Sequence, residues 1–203
     1  MIPPRLLVAS AAAMLLGGCA TPPESAVSDT GTRSYSERET QLRSVRNWEM
    51  RGRIAVDTGD DAWQGRFTWW QDDDSLRLLI RGPLNTRPVE ISGNGTELTV
   101  RTRRETRVLE DPESQLSELL GWWLPITSLQ SWLLALPDDR YPIAELTLDE
   151  ARLRTLQQRA WALQYGEYEP QAAAEIPASI ELSHAPLELV VTIDAWGPRT
   201  DPP

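Results

Sequence analysis

The chain has 203 residues and a formal net charge of −10, and its basic residues are all arginines apart from a single histidine. The acidic balance argues against a nucleic-acid binder, because such proteins carry basic patches that release phosphate counterions. It also argues against broad electrostatic adhesion to anionic lipids. One cysteine, Cys19, and one histidine, His184, exclude an intrachain disulfide, a dithiol redox centre and a Cys/His zinc site.

The N-terminal segment has the pattern of a lipoprotein signal peptide. Arg5 precedes an apolar run over 6–16, which is too short for a transmembrane helix of about 20 residues. The run ends in Leu16-Gly17-Gly18-Cys19, which resembles a bacterial lipobox, where the cysteine thiol receives a diacylglycerol and the chain is cut just before it. We therefore predict a signal peptide over 1–18 and a mature chain that begins at lipidated Cys19. An ordinary secretory signal with an incidental cysteine is the alternative.

A flexible tether and one domain are predicted after the lipidation site. Residues 19–36 are mostly small and polar and lack apolar periodicity, which indicates a tether between the lipid and the domain. The single domain is assigned to 37–203. A first helix over about 35–45 is predicted, with Tyr35, Leu42 and Val45 near one face.

Five strands follow, because apolar and polar residues alternate with a period of two. Their inward positions are Trp48, Met50, Ile54 and Val56, then Trp63, Gly65, Phe67 and Trp69, then Leu76, Leu78 and Ile80, then Val89 and Ile91, and finally Leu98 and Val100. Short turns rich in Gly, Asp and Asn separate most of these runs. The pattern predicts an antiparallel meander.

Two short helices interrupt the strand pattern. The first is predicted over 112–120, with Asp111 as N-cap, Pro112 at the first helical position and Gly121 as the stop. The second is predicted from 127 or 128 to about 136. These helices are more apolar than packing against one sheet face requires, so we expect them to lie under the sheet.

Strand patterns return over 143–148, 159–168, 180–183 and 187–195, while 150–158 is left open between a helical turn and a strand. The total of eight to eleven strands predicts a mainly β fold with one strongly curved antiparallel sheet. Sheets of that size curl or close. A barrel-like sheet with apolar helices inside is therefore expected.

No catalytic motif is recognised. His184 lies beside Ala185-Pro186 in a predicted hairpin turn and is interpreted as an exposed turn residue rather than a base. Gly93-Asn94-Gly95 reads as a turn, and Asp72-Asp73-Asp74 lacks the spaced ligands of a calcium loop. We predict neither an enzyme nor a cofactor or metal site.

The order and spacing of these segments resemble the LolB family of outer-membrane lipoprotein receptors. The resemblance rests on the lipobox, on strand segments 48–56 and 65–69, on Gly82-Pro83-Leu84, on the helical run 119–126 with Trp132 and Leu136-Pro137, and on the C-terminal part from 176 to 196. The chain departs from the family pattern at Asn85, where a glycine is expected, and in extra length around 150–158.

The resemblance implies an incomplete, open β-barrel with an apolar helical lid inserted mid-sequence, as in LolA/LolB-like proteins. Such a receptor accepts acylated lipoproteins from the periplasmic carrier LolA and delivers them to the inner leaflet of the outer membrane without ATP, as a monomer. The candidate cavity residues are Met50, Ile54, Trp63, Phe67, Trp69, Leu78 and Ile80 on the sheet, and Leu120, Trp123, Leu129, Trp132 and Leu133 in the lid. For each of them, packing in a filled hydrophobic core is an equally weighted alternative.

The loop that begins Gly82-Pro83-Leu84 is interpreted, by resemblance, as an apolar wedge that touches the membrane. Leu84 packed onto the sheet edge is the alternative. No aspartate of the inner-membrane retention type follows Cys19, so we predict a lipid anchor on the periplasmic face of the outer membrane. Two other functions stay open: an assembly lipoprotein that holds a protein partner, and a lipocalin-like binder of small lipids.

Overall fold

A computed structural model describes residues 29–83 and 88–199, so Cys19, Leu84 and the predicted signal peptide lie outside the described residues. The helices are α1 (Asp29–Ser44), α2 (Pro112–Leu120) and α3 (Ile126–Trp132). The strands are β1 (Asn47–Asp57), β2 (Ala62–Asp72), β3 (Ser75–Arg81), β4 (Val89–Gly93), β5 (Leu98–Arg101), β6 (Thr106–Leu109), β7 (Ile143–Asp149), β8 (Arg152–Gln158), β9 (Trp161–Tyr165), β10 (Tyr168–Pro170), β11 (Glu175–Pro177), β12 (Ser179–His184) and β13 (Leu187–Pro198). None of the helices in these ranges is long and apolar enough to cross a membrane.

Eleven of the strands form one antiparallel sheet in the order β6-β5-β4-β3-β2-β1-β13-β12-β9-β8-β7, and β10 pairs separately with β11. The predicted meander corresponds to β1–β5 and is confirmed, and the eleven strands of this sheet agree with the eight to eleven predicted for it. β6 and β7 form the two edges of the sheet, and they are not neighbours in the hydrogen-bonded order. The sheet is therefore an open one, in agreement with the predicted incomplete barrel.

The helices α2 and α3 make the connection between the two edge strands and pack against the inner face of the sheet. Leu116, Ile126 and Trp132 are buried in the same core as Met50 of β1 and Trp161 of β9. This burial confirms that the mid-sequence helices lie under the sheet. We refer to α2 and α3 together as the helical lid.

A close approach between two neighbouring strands accompanies a bend in β1. The register of β1 against β13 shifts between Arg51 and Gly52. A Cβ on Gly52 would lie 2.1 Å from the carbonyl oxygen of Thr192 and 2.8 Å from the ring of Phe67. Only glycine fits this point, which is a common way for a sheet to bend around its core.

Several predicted boundaries differ from the structure. Helix α1 begins at Asp29, inside the predicted tether, and buries Tyr35 and Leu42 as expected. Helix α3 ends at Trp132 rather than near Leu136, and Ala135 has a left-handed φ of 53°.

The C-terminal half contains two further differences. The open segment 150–158 contains strand β8, and the predicted strand 159–168 is divided between β9 and β10. Strand β6 was not predicted, since its only buried residue is Leu109 and it lacks alternation.

Candidate functional site

An apolar cavity of about 690 Å³ lies between the inner face of β2–β5 and helix α2. Its apolar lining consists of Trp63, Ile80, Val89, Ile91, Val100, Leu116, Leu119 and Leu120. Polar groups from Gln64, Thr102, Glu105 and Arg107 also border it. The volume lies within the range of about 300–1,000 Å³ that is usual for ligand sites.

Three large apolar side chains remain exposed around this cavity, and we call them the cavity mouth. Trp63 is 39% exposed, Leu119 39% and Leu120 38%. They make up half of the large apolar side chains that stay exposed in the described part of the chain. A grouping of this kind marks a binding surface more often than scattered exposed leucines do.

The sequence of α2 explains why its apolar residues face the cavity. Pro112 begins the helix, and Gly121 ends it with a left-handed φ of 80°. Leu116 points into the core and is buried, whereas Leu119 and Leu120 occupy the last turn, above the cavity. The helix therefore buries Leu116 and leaves the two leucines of its last turn exposed beside the cavity.

The structure places the predicted cavity residues in three groups. Trp63, Ile80 and Leu120 line the cavity. The residues that are instead buried in a filled core are Met50, Phe67, Trp69, Leu78, Leu129, Trp132 and Leu133. Ile54 and Trp123 are partly buried and pack against that core.

The filled region is packed by aromatic rings. Trp48 and Trp69 stack with centroids 6.1 Å apart, and Trp132 lies 6.4 Å from Trp161. Alternation identifies inward-facing positions but does not indicate whether the space opposite each of them is occupied. For this reason the sequence does not distinguish Val89, Ile91, Val100, Leu116 and Leu119 as cavity residues, although the three strand residues are assigned to inward positions.

A mostly buried ion pair joins α2 to the turn between β8 and β9. Arg159 donates to both carboxylate oxygens of Glu113, and the hydroxyl of Thr127 donates to the same group. Burial by itself would raise the pKa of Glu113, but these hydrogen bonds and the charge of Arg159 outweigh it and lower that pKa. The guanidinium of Arg159 also lies 3.9 Å from the ring centroid of Tyr141.

A second buried carboxylate holds α3. Asp138 accepts hydrogen bonds from Ser128 at 2.7 Å and from Arg140 at 2.8 Å. Burial opposes ionisation here as well, and the hydrogen bonds outweigh it, so the pKa of Asp138 is lowered. Gln158 accepts from the indole N–H of Trp132 at 2.9 Å and completes the network.

The prediction of an exposed His184 is wrong. The side chain is half-buried, and its ring centroid lies 5.4 Å from those of Trp123 and Trp161. Its Nδ1 lies 3.1 Å from the carbonyl oxygen of Ala160. The turn position itself was predicted correctly, but the aromatic partners come from distant segments. Residues 29–83 and 88–199 hold no group of three acidic, His or Cys side chains that could bind a metal.

The predicted membrane loop begins beside the cavity. Gly82 and Pro83 line it, and Pro83 is exposed. Leu84 follows directly in the sequence but lies outside the described residues.

The fold and the cavity together define a class of protein, in which an open antiparallel sheet with a helical lid encloses an apolar interior. A LolA superfamily protein from Nitrosomonas europaea shares this fold, with a TM-score of 0.56 over 85% of this chain and 95% of that chain at 10% identity. The family model described as outer membrane lipoprotein LolB matches residues 46–196.

Named relatives cover nearly the whole chain. The outer-membrane lipoprotein LolB of Nitrosococcus oceani is 32% identical over 194 residues, which is 95% of this chain and 96% of that protein. The LolB of Stutzerimonas stutzeri is 29% identical over 199 residues and 95% of both chains. The chain belongs to the LolB family of outer-membrane lipoproteins. This membership confirms the predicted family, fold class and outer-membrane location.

Proposed function

We propose that the protein accepts acylated lipoproteins from the periplasmic carrier LolA and inserts them into the inner leaflet of the outer membrane without ATP. The observation that carries the proposal is the apolar cavity of about 690 Å³ whose mouth leaves Trp63, Leu119 and Leu120 exposed. In this proposal the protein acts as a monomer, held on the membrane by the acyl anchor at Cys19.

The cavity supports the proposal through the energetics of acyl chains. Each methylene removed from water contributes about 0.8 kcal/mol, so a free acyl chain has a strong tendency to leave water for an apolar surface. The exposed Trp63 and Leu120 offer a first apolar contact for such a chain, and the cavity behind them offers further apolar surface. A downhill order of affinities from carrier to receptor to bilayer is sufficient to drive transfer, with no nucleotide required.

The loop that begins at Pro83 provides the delivery step in this proposal. Pro83 borders the cavity, and Leu84 is the next residue. An apolar residue at this position would enter the bilayer surface next to the point where the acyl chains leave the protein.

The two alternative functions make different demands on the interior. An assembly lipoprotein needs a filled interior and an exposed patch for its partner, and the hollow region under α2 speaks against it. A binder of small lipids would also use a hollow interior, but it would take its ligand without a carrier. Transfer of cargo from LolA therefore distinguishes the proposed receptor from a binder of small lipids.

The test uses the chain with Cys19→Ala, which cannot be acylated and stays in solution. It is mixed with LolA loaded with a triacylated lipoprotein, and a pull-down without nucleotide reports where the cargo is. We expect the cargo to move onto this protein, and cargo that stays on LolA would refute the receptor function.

A matched pair of charge insertions makes the same assay specific for the cavity. Leu120→Glu places a carboxylate at the cavity mouth, where we expect it to reduce transfer at least tenfold. Ile143→Glu changes a side chain of similar exposure, 47% against 38%, on the distant edge strand β7. We expect this control to transfer cargo normally.

A further inference from the structure

Three arginines occupy adjacent positions across three neighbouring strands on the outer face of the sheet. Arg53 of β1 is directly opposite Arg66 of β2, and Arg66 is directly opposite Arg81 of β3. All three side chains are exposed. We call them the arginine row.

The row is electrostatically unfavourable as it stands, because like charges directly opposite each other destabilise a sheet. Arg53 has one carboxylate partner, Asp194, at 3.1 Å. Neither Arg66 nor Arg81 forms an ion pair with any carboxylate of the described residues. By contrast, Arg77 on the same strand as Arg81 is paired with Glu90. The chain carries 30 acidic residues, so partners could have been supplied here as they are elsewhere.

The row lines part of a shallow depression of about 740 Å³, to which Ala55 and Val190 also contribute. Gln64 and Thr192 add neutral polar groups to its wall, and none of its described lining residues is acidic. Gly65, an inward position of β2 next to Arg66, also borders the depression through its backbone.

The depression continues to Gly82 and Pro83, which also border the apolar cavity. Arg81 is thus followed directly by the loop that we propose to enter the membrane. A surface that lies beside this loop would be at the level of the lipid headgroups when the loop is inserted. Guanidinium groups bind phosphate oxygens in two-point contacts, and neighbouring phosphates would also remove the repulsion within the row.

We propose that the arginine row binds the phosphate groups of phospholipid headgroups and holds the outer face of β1–β3 against the membrane during delivery. The proposal rests on the proposed function for its role in delivery, whereas headgroup binding itself can be measured separately. It assigns membrane contact to a polar surface in addition to the apolar loop and the acyl anchor.

The test measures binding of the Cys19→Ala chain to vesicles by flotation at low salt. Vesicles contain either phosphatidylglycerol mixed with phosphatidylcholine or phosphatidylcholine alone. Arg66→Gln combined with Arg81→Gln should weaken binding to the phosphatidylglycerol vesicles about thirtyfold, since each arginine near an anionic surface contributes about fivefold. Rising salt should weaken binding of the parent chain more than that of the double variant.

The matched control removes the same charge at the opposite end of the sheet, with Arg46→Gln combined with Arg199→Gln. Arg46 precedes β1 and Arg199 follows β13, next to the turn that joins β2 to β3. We expect this control to bind the vesicles within about threefold of the parent chain. Arg66→Lys combined with Arg81→Lys keeps the charge and should retain most of the vesicle binding, which checks that loss in the Gln variant is not due to misfolding.

Transfer of cargo from LolA in solution is measured in parallel and should be unchanged by the Gln substitutions. Equal vesicle binding by the row variant and its control would overturn the proposal. Lost transfer with intact vesicle binding would also overturn it and would assign the row to the carrier protein. If the parent chain takes no cargo from LolA, the proposed function fails, while the vesicle result still decides the headgroup proposal.

Discussion

Arg159 binds Glu113 through two parallel contacts, with Nη1 2.9 Å from Oε1 and Nη2 2.5 Å from Oε2. The pair joins the β8–β9 turn to the first turn of α2, and only 11% and 19% of the two side chains is exposed. Glu113 thereby fixes the start of the helix whose last turn carries Leu119 and Leu120 over the cavity. The pair thus holds one wall of the cavity in place.

We expect Glu113→Gln to lower the free energy of unfolding by about 2–3 kcal/mol, because Arg159 would be left mostly buried without a countercharge. Urea unfolding of the Cys19→Ala chain measures this change. Asp73→Asn is the control, since Asp73 pairs with Arg46 on an exposed surface, where ion pairs contribute about 0–1 kcal/mol. Equal losses in the two variants would contradict the assigned role of the Glu113–Arg159 pair.

The same pair predicts a pH dependence of stability. The pKa of Glu113 in the folded protein lies below its ordinary value of 4.5, so its contribution is fully present above that value. The contribution is lost as the pH falls below 4.5 and through the lowered folded pKa. The melting temperature of the parent chain should therefore fall more steeply in this range than that of Glu113→Gln.

The pH comparison needs the variant as its baseline because Asp138 has a lowered pKa as well and contributes in the same direction. Acid sensitivity should thus be reduced in Glu113→Gln but not abolished. Identical slopes for both proteins between neutral and acidic pH would contradict the prediction.

Trp63 and Trp69 provide a matched test of cavity against core, since they lie on the same face of β2. Trp69 is 1% exposed and its indole N–H donates to Gln71, whereas Trp63 is 39% exposed and lines the cavity. Trp69→Ala should cost about 3–5 kcal/mol of stability, and Trp63→Ala about 1 kcal/mol or less. Trp63→Ala should nevertheless reduce uptake of acylated cargo several-fold, measured by pull-down from LolA. A large stability loss in Trp63→Ala would show that its ring is part of the core.

This pair of tryptophans also illustrates what could be predicted from the sequence. Both follow the same period-two alternation, which correctly assigns them to the inner face of one strand. Whether the space opposite is filled depends on Trp48, which stacks on Trp69 from another strand, and on helix α2, which leaves the region near Trp63 open. Information of that kind is not contained in the periodicity of a single segment.

Buried polar groups and cross-strand register limited the prediction in the same way. Gln158 of β8 is polar, so the sequence does not indicate that it is buried. It is buried because it accepts hydrogen bonds from Trp132 of α3 and from the backbone N–H of Asp138 in the loop that follows. Period-two alternation places Arg53 and Arg66 opposite the inward positions of their strands, but the adjacency of Arg53, Arg66 and Arg81 follows only from the register of β1, β2 and β3.

The loop that begins at Pro83 leads to a prediction about delivery. Leu84→Glu should fold normally and receive cargo from LolA, but it should fail to deposit the cargo in vesicles, because a carboxylate resists entry into the bilayer. Asn85→Glu is the control, since it adds the same charge at the next position of the same loop. Deposition is measured by flotation of the cargo with the vesicles. Normal deposition by Leu84→Glu would refute the wedge hypothesis.

The close approach of β1 and β13 at Gly52 leads to a prediction about stability. A Cβ at this position would lie 2.1 Å from a backbone oxygen of β13, and backbone on both sides is held by the sheet. Gly52→Ala must therefore separate β1 from β13 at the centre of the strand order, and we expect a loss of about 3 kcal/mol or more. Gly95→Ala is the control, because the nearest atom to its added Cβ is a methyl group of Thr127 at 3.7 Å, an ordinary contact. Urea unfolding of both variants in the Cys19→Ala chain measures the difference. Because β1 is hydrogen-bonded to β2, which carries Trp63 of the cavity, a variant of Gly52 that still folds should also bind acylated cargo more weakly than the Gly95 control. Equal stability and equal binding in the two variants would mean that the sheet can relax at Gly52 without altering the cavity.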